Sequence, residues 1–255
     1  MIENIFSGFL ANLAFAIFLI GIGWLIYYAT ERRKLLEFFN ITQSKRLIIY
    51  LSHLKILKGG SSGIDNLSRA YYGIAVVYNE QTYATKIKER FNYLMPSLGE
   101  SPSLLSKIVF ADIKVSIIPS PLLAPEVESS SSIISFGSPG YNLASTEIEN
   151  NHKSVVRFVN DNCAIQVQGV PIMDNPLNGF IQRIVSNSTG NKRNLFYVAG
   201  LAENGTIGAA NYLLKNWKNL NKRYKKDESF IIVLTFPTDN LDNYSIVLDR
   251  KIELI

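Results

Sequence analysis

Ser132–Asn150, SIISFGSPGYNLASTEIEN, carries three local signals in one run. Ser132–Phe136 is a short β-branched strand pattern. Gly137-Ser138-Pro139-Gly140-Tyr141-Asn142 is a tight glycine turn, and Leu143–Asn150 has helical character. A strand delivered into a helix through such a turn is the repeating unit of α/β domains. The same unit recurs further on. Asn194–Ala199 reads as a strand and Gly200-Leu201-Ala202-Glu203-Asn204-Gly205-Thr206 as a loop. An amphipathic helix then runs from Thr206 to about Tyr224, with Ala210, Leu213, Trp217, Leu220 and Tyr224 on its apolar face. Lys215, Lys218, Lys222, Arg223, Lys225 and Lys226 gather at its C-terminal end, where the helix dipole favours cations.

Outward from these units, Arg46–Leu51 is expected to be the first strand, followed by the loop Lys58–Gly63. A helix is expected from about Ala75 to Leu94, stopped by Pro96, and a strand over Asp112–Ile118 leads into a Pro/Ser-rich connector reaching about Ser131. Val155–Val159, Ala164–Val167 and Phe180–Val185 read as hairpins or an antiparallel extension, and Phe230–Phe236 and Ser245–Leu248 as closing strands. The expectation is one Rossmann-like α/β domain over residues 45–255, with a mostly parallel sheet and helices on both faces.

Ahead of this domain, Ile5–Tyr28, IFSGFLANLAFAIFLIGIGWLIYY, contains no charge. As a helix it would run about 36 Å, enough to cross a hydrocarbon core of about 30 Å. A leader without Lys or Arg and an apolar run of this length favour an anchor over a cleaved signal peptide. Residues 31–58 hold seven Lys/Arg against two Glu, whereas residues 1–30 carry only Glu3. By the positive-inside rule the chain is expected in the cell inner membrane as a single pass, amino terminus out and C-terminal domain cytoplasmic. The expected partition is an anchor at 1–30, a juxtamembrane neck at 31–44 and the domain at 45–255. Gly8, Asn12 and Ala16 share one helix face suited to self-association into a homo-oligomer; Asn12 alternatively sits solvated near the outer interface.

The net charge of +5 divides as −1 over residues 1–30, +5 over 31–58 and +1 over the rest. The basic character therefore belongs to the membrane edge, where it meets lipid, and no nucleic-acid duplex is expected as a partner. One cysteine and two distant histidines leave no disulfide framework and no metal set. The chemistry falls to the two glycine turns, which can present backbone N–H groups and a helix start to an anion. Candidate ligand-binding residues are Gly137, Ser138, Gly140, Asn142, Gly200, Asn204, Gly205 and Thr206. Glu203 and Glu147 are candidate catalytic carboxylates for cleaving an N-glycosidic bond, or acids placed there by the helix dipole.

The anchor at Ile5–Tyr28, FGSPGYN at 136–142 and AGLAENGTIGAANYL at 199–213 together resemble the membrane-anchored effectors of prokaryotic nucleotide-signalling and antiphage systems, in which a transmembrane segment is fused to a Rossmann-like sensor of the SLOG or CARF type. That resemblance implies a cyclic oligonucleotide or NAD-derived ligand, an oligomer and a membrane-directed output. A membrane-tethered enzyme acting on a nucleotide or nucleoside, and a membrane scaffold, remain the alternatives.

Overall fold

The computed structural model describes residues 2–41, 45–54, 75–93, 113–120, 131–187, 192–237 and 240–253. The loop at 58–63 and most of the Pro/Ser connector lie outside the described residues. The expected anchor and the neck as far as Phe38 form one continuous helix, α1 (Ile2–Phe38). Its stretch from Asn12 onward is long and apolar enough to cross a membrane, and its most apolar window is unburied by the rest of the chain.

α1 ends by a defined device. Asn40 takes a positive φ of 53°, Ile41 N–H donates to Leu36 O at 2.9 Å and Asn40 N–H to Glu37 O at 3.1 Å. This pair of reversed bonds satisfies carbonyls that a helix end otherwise leaves open. Side chains then tie the terminus to the sheet: Asn194 Nδ2 donates to Phe38 O at 3.1 Å, Asn40 Nδ2 to Lys192 O at 2.8 Å, and Ser132 Oγ to Asn40 O at 3.1 Å. Leu35, Phe38, Phe39 and Ile41 are buried in the core of the domain. The neck is thus built into the domain rather than standing free of it.

The remaining elements follow as β1 (Arg46–Leu51), β2 (His53–Leu54), β3 (Ala75–Val76), α2 (Tyr78–Tyr93), β4 (Lys114–Pro119), β5 (Ser132–Phe136), α3 (Leu143–Asn151), β6 (Val156–Val159), β7 (Ala164–Val167), β8 (Asn178–Ser186), β9 (Arg193–Gly200), α4 (Glu203–Arg223), β10 (Ser229–Thr235) and β11 (Ser245–Ile252). A seven-stranded sheet runs in the order β4-β1-β5-β9-β8-β10-β11. β4, β1, β5 and β9 pair in parallel. β8, β10 and β11 add to β9 by successive antiparallel pairings. Five of the seven strands therefore point the same way, so the sheet is mixed and parallel-leaning. The segments 155–159 and 164–167 form a hairpin, β6-β7, and the segment 180–185 lies in antiparallel β8.

Both faces of the sheet are covered, which is why β5, β8, β9 and β10 are buried along nearly their whole length. On one face, α2, α4 and the end of α1 pack through Ala84, Ile87, Phe91, Leu213, Trp217, Leu220 and Phe38. On the other, α3 and the β6-β7 hairpin contribute Ala144, Ile148, Val156, Ile165 and Val167. Arg183 lies fully buried on the first face, between the rings of Phe38 and Phe230. It donates to the carbonyls of Glu228 and Lys225 that close the α4–β10 connection. Burial lowers its pKa to about 10, so it remains a cation at neutral pH.

Candidate functional site

Successive parallel strands move from β1 outward to β4, then back across β1 to β5 and on to β9, so the winding direction reverses between β1 and β5. A crevice forms beyond the carboxyl ends of strands at such a reversal, because the connections leave to opposite faces there. Here it is a cavity of about 280 Å³, lined by Ser52, Val77, Glu80, Gly137, Ser138, Tyr141, Gly200, Leu201, Ala202, Glu203 and Thr206.

The two glycine turns meet in this crevice, but only half of the candidate ligand residues line it. Gly137, Ser138, Gly200 and Thr206 do, together with Glu203; Gly140, Asn142, Asn204 and Gly205 are not part of the lining. Asn142 was expected to face a ligand and instead caps α3, buried to 1% exposure. Its Oδ1 accepts from Ala144 N–H at 2.9 Å and its Nδ2 donates to Phe136 O at 2.7 Å, so both ends of the amide are engaged. Gly205 presses α4 onto the sheet: a Cβ there would lie 2.2 Å from Asn178 O. Gly137 adopts a positive φ, 85°, and Gly140 does not. Glu147 lies on α3, 3.9 Å from His152, away from the crevice. Among the anchor candidates, Asn12 and Ala16 are exposed along the single chain; the surroundings of Gly8 lie outside what is described.

The chemistry of the crevice centres on two residues that sequence reasoning passed over. Glu80, in the first turn of α2 and 5% exposed, accepts from Ser52 N–H at 2.8 Å and from Ser52 Oγ at 2.9 Å. Gly137 makes room for this contact, since a Cβ there would sit 2.0 Å from Ser52 Oγ. Burial pushes the Glu80 carboxyl above the usual range; the two bonds from Ser52 pull it back, and the nearby Glu203 carboxylate raises it further. Ser52 Oγ also lies 3.2 Å from Phe136 O. One hydroxyl proton thus has two acceptors, and protonation of Glu80 would release it to Phe136 O. A carboxylate in a first helical turn directly after a strand was the available sequence cue; its Ser52 partner, 28 residues away, was not visible.

Glu203 accepts from Asn79 Nδ2 at 2.6 Å, joining the starts of α2 and α4 across the crevice. Thr206 Oγ1 accepts from Gly200 N–H at 2.9 Å. The N-cap residue of α4, Ala202, offers no side-chain cap. Tyr141 is 53% exposed at the rim. Among the described residues the lining holds two carboxylates, two serines, a threonine and a tyrosine, with neither Lys nor Arg. Such a set accepts hydrogen bonds from hydroxyls and offers a ring face, while any anion would rely on the backbone N–H groups of the turns. No cluster of metal-ligating side chains is present among the described residues. Comparison with family models, with curated proteins and with solved structures gives no match to this chain.

Proposed function

We propose that this chain is a single-pass inner-membrane protein, amino terminus out, whose Rossmann-like domain binds a nucleotide-derived ligand in the crevice and passes that event to an oligomeric anchor. The observation that carries this reading is the position of α4. Its first turn lines the crevice, and Lys218, twelve residues or about 18 Å further along the helix, pairs with Glu31 of α1. One rigid helix therefore touches both the ligand site and the base of the anchor. The acceptor-rich lining suits ribose hydroxyls, and exposed Tyr141 suits a base. Self-association through Gly8, Asn12 and Ala16 gives the anchor more than one arrangement to choose between. A ligand would need to prefer one arrangement by about 5.5 kcal/mol for a near-complete shift. The resemblance to nucleotide-signalling effectors would suit such a device to antiphage defence.

A second reading is favoured by the two carboxylates in one crevice, one of them shifted upward by burial. Glu203 would attack the anomeric carbon of a nucleoside while protonated Glu80 gives its proton to the departing base nitrogen; water then releases the sugar. Incubating the purified full chain with NAD and with nucleosides separates the two. Saturable binding without turnover is expected; turnover abolished by Glu203→Gln would establish the enzyme instead, and no binding at all would leave a scaffold.

A further inference from the structure

We infer that the junction of α1 with the domain is a seat for the headgroup of an anionic phospholipid. A second cavity, of about 220 Å³, is lined by Tyr27, Tyr28, Glu31, Leu35, Arg90, Trp217 and Lys218. It brings two turns of α1 together with the end of α2 and the C-terminal half of α4. The inference rests on the membrane-spanning reading of α1, and the position of the cavity follows from it. The uncharged run ends within a residue or two of Tyr28 and Glu31 begins the charged segment, so the step from Tyr27 to Glu31 covers about 6 Å around the end of the hydrocarbon, and Leu35 lies one further turn into the domain. The outer of these turns matches the depth of the headgroup layer, about 5–8 Å on each side of the bilayer.

Its chemistry fits the same layer. Tyr27, Tyr28 and Trp217 supply amphipathic rings of the kind that settle at headgroup level. Glu31 accepts from Lys34 at 3.0 Å and pairs with Lys218, so one carboxylate serves two ammonium groups. Arg90 stands exposed on the opposite wall. In the lining Arg90 and Lys218 exceed Glu31 by one positive charge, which leaves the cavity poised for a phosphodiester. A guanidinium can grip such a group through two parallel N–H bonds, while Lys218 retains donors beyond the one on Glu31. The volume is several times the roughly 30 Å³ of a water molecule. Leu35 at the base of the cavity is buried against the core, so the seat is built into the domain. A bound headgroup would bridge α1, α2 and α4 at the point where α4 meets the anchor.

The test uses the full chain reconstituted in vesicles of phosphatidylcholine with or without phosphatidylglycerol, then released in mild detergent and examined by native mass spectrometry for retained lipid. Retention in the vesicles is assayed separately by carbonate extraction. Wild type is expected to keep phosphatidylglycerol in preference to phosphatidylcholine. Arg90→Gln and Lys218→Gln are each expected to reduce that preference about fivefold, the scale of one basic residue at an anionic surface. Lys251→Gln, on distant β11, should leave it unchanged. Equal retention of the two lipids, indifference to Arg90→Gln, or an equal loss with Lys251→Gln would overturn the seat. So would complete displacement by inorganic phosphate, which would identify a free-anion site. Extraction of wild type by carbonate would remove the membrane-spanning reading and the seat together, whereas retention without lipid preference removes the seat alone.

Discussion

The two glycine turns look alike in sequence and both reach the crevice, through Gly137, Ser138 and Tyr141 in one and Gly200, Glu203 and Thr206 in the other, but their helix starts are built differently. At 136–142 the turn closes its own helix: Asn142 and Ser120 satisfy the first N–H groups of α3, and glycine at 137 exists for the Ser52–Glu80 contact beside it. At 200–206 the helix start carries no side-chain cap, Glu203 and Thr206 line the crevice, and glycine at 205 exists for close packing of α4 on β8 and β9. Glycine in such a turn thus marks crowding by a neighbour, and says nothing of whether the helix start that follows is capped or left open.

The largest effect that would sharpen this contrast is at Gly205. Gly205→Ala places a methyl against Asn178 O and the Gly200 backbone, neither of which can yield. We expect a loss of about 3 kcal/mol or more by urea unfolding. Gly140→Ala should behave differently, because the atom it meets is the end of the Asn162 side chain and its φ is not positive. Between these lies Asn142→Ala. It removes the α3 cap and leaves the buried Phe136 carbonyl without its amide donor, at a cost of about 2–3 kcal/mol by the same measurement. Equal losses at Gly205 and Gly140 would break the comparison.

These positions also show what the sequence makes legible. The amphipathic stripe of α4 and the largely apolar runs of β1, β5 and β9 locate elements because the signal of their burial is local in sequence. The antiparallel flank was visible as separate segments, but the placement of β8 between β9 and β10 depends on pairings distant in sequence. The docking of the neck was hidden because Leu35, Phe38 and Phe39 follow four charged residues at 31–34 and find their partners only in strands and helices distant in sequence. Ser52 and Glu80 were hidden because neither carries a motif; they become a site only where the end of β1 meets the start of α2.

A smaller effect concerns pH. Glu80 and Glu149 are both raised above the ordinary value of 4.5 by burial. Glu149 is held by Tyr197 Oη–H at 2.8 Å. The folded chain therefore binds more protons than the unfolded one just above that value, and stability falls as pH rises through the raised range. Glu31 has the opposite sign: its pKa is lowered, first by the bond from Lys218, so its contribution is present above 4.5 and is lost as pH falls. Glu80→Gln keeps an acceptor for Ser52 N–H. It should flatten the decline and leave the protein more stable at neutral pH, measured as urea midpoints across the pH range. The smallest change is expected from Gly140→Ala, under about 1 kcal/mol.

The crevice itself is tested most directly by thermal unfolding of the full chain with a panel of adenosine, NAD and cyclic diadenylate, in wild type and in Ser138→Trp, whose indole would fill the cavity from its rim. At least one compound should raise the wild-type midpoint by several degrees, as ligand well above its Kd would, and none should raise that of Ser138→Trp. A wild-type midpoint unmoved by every member of the panel, or a shift that survives Ser138→Trp, would contradict a nucleotide-derived ligand in this crevice.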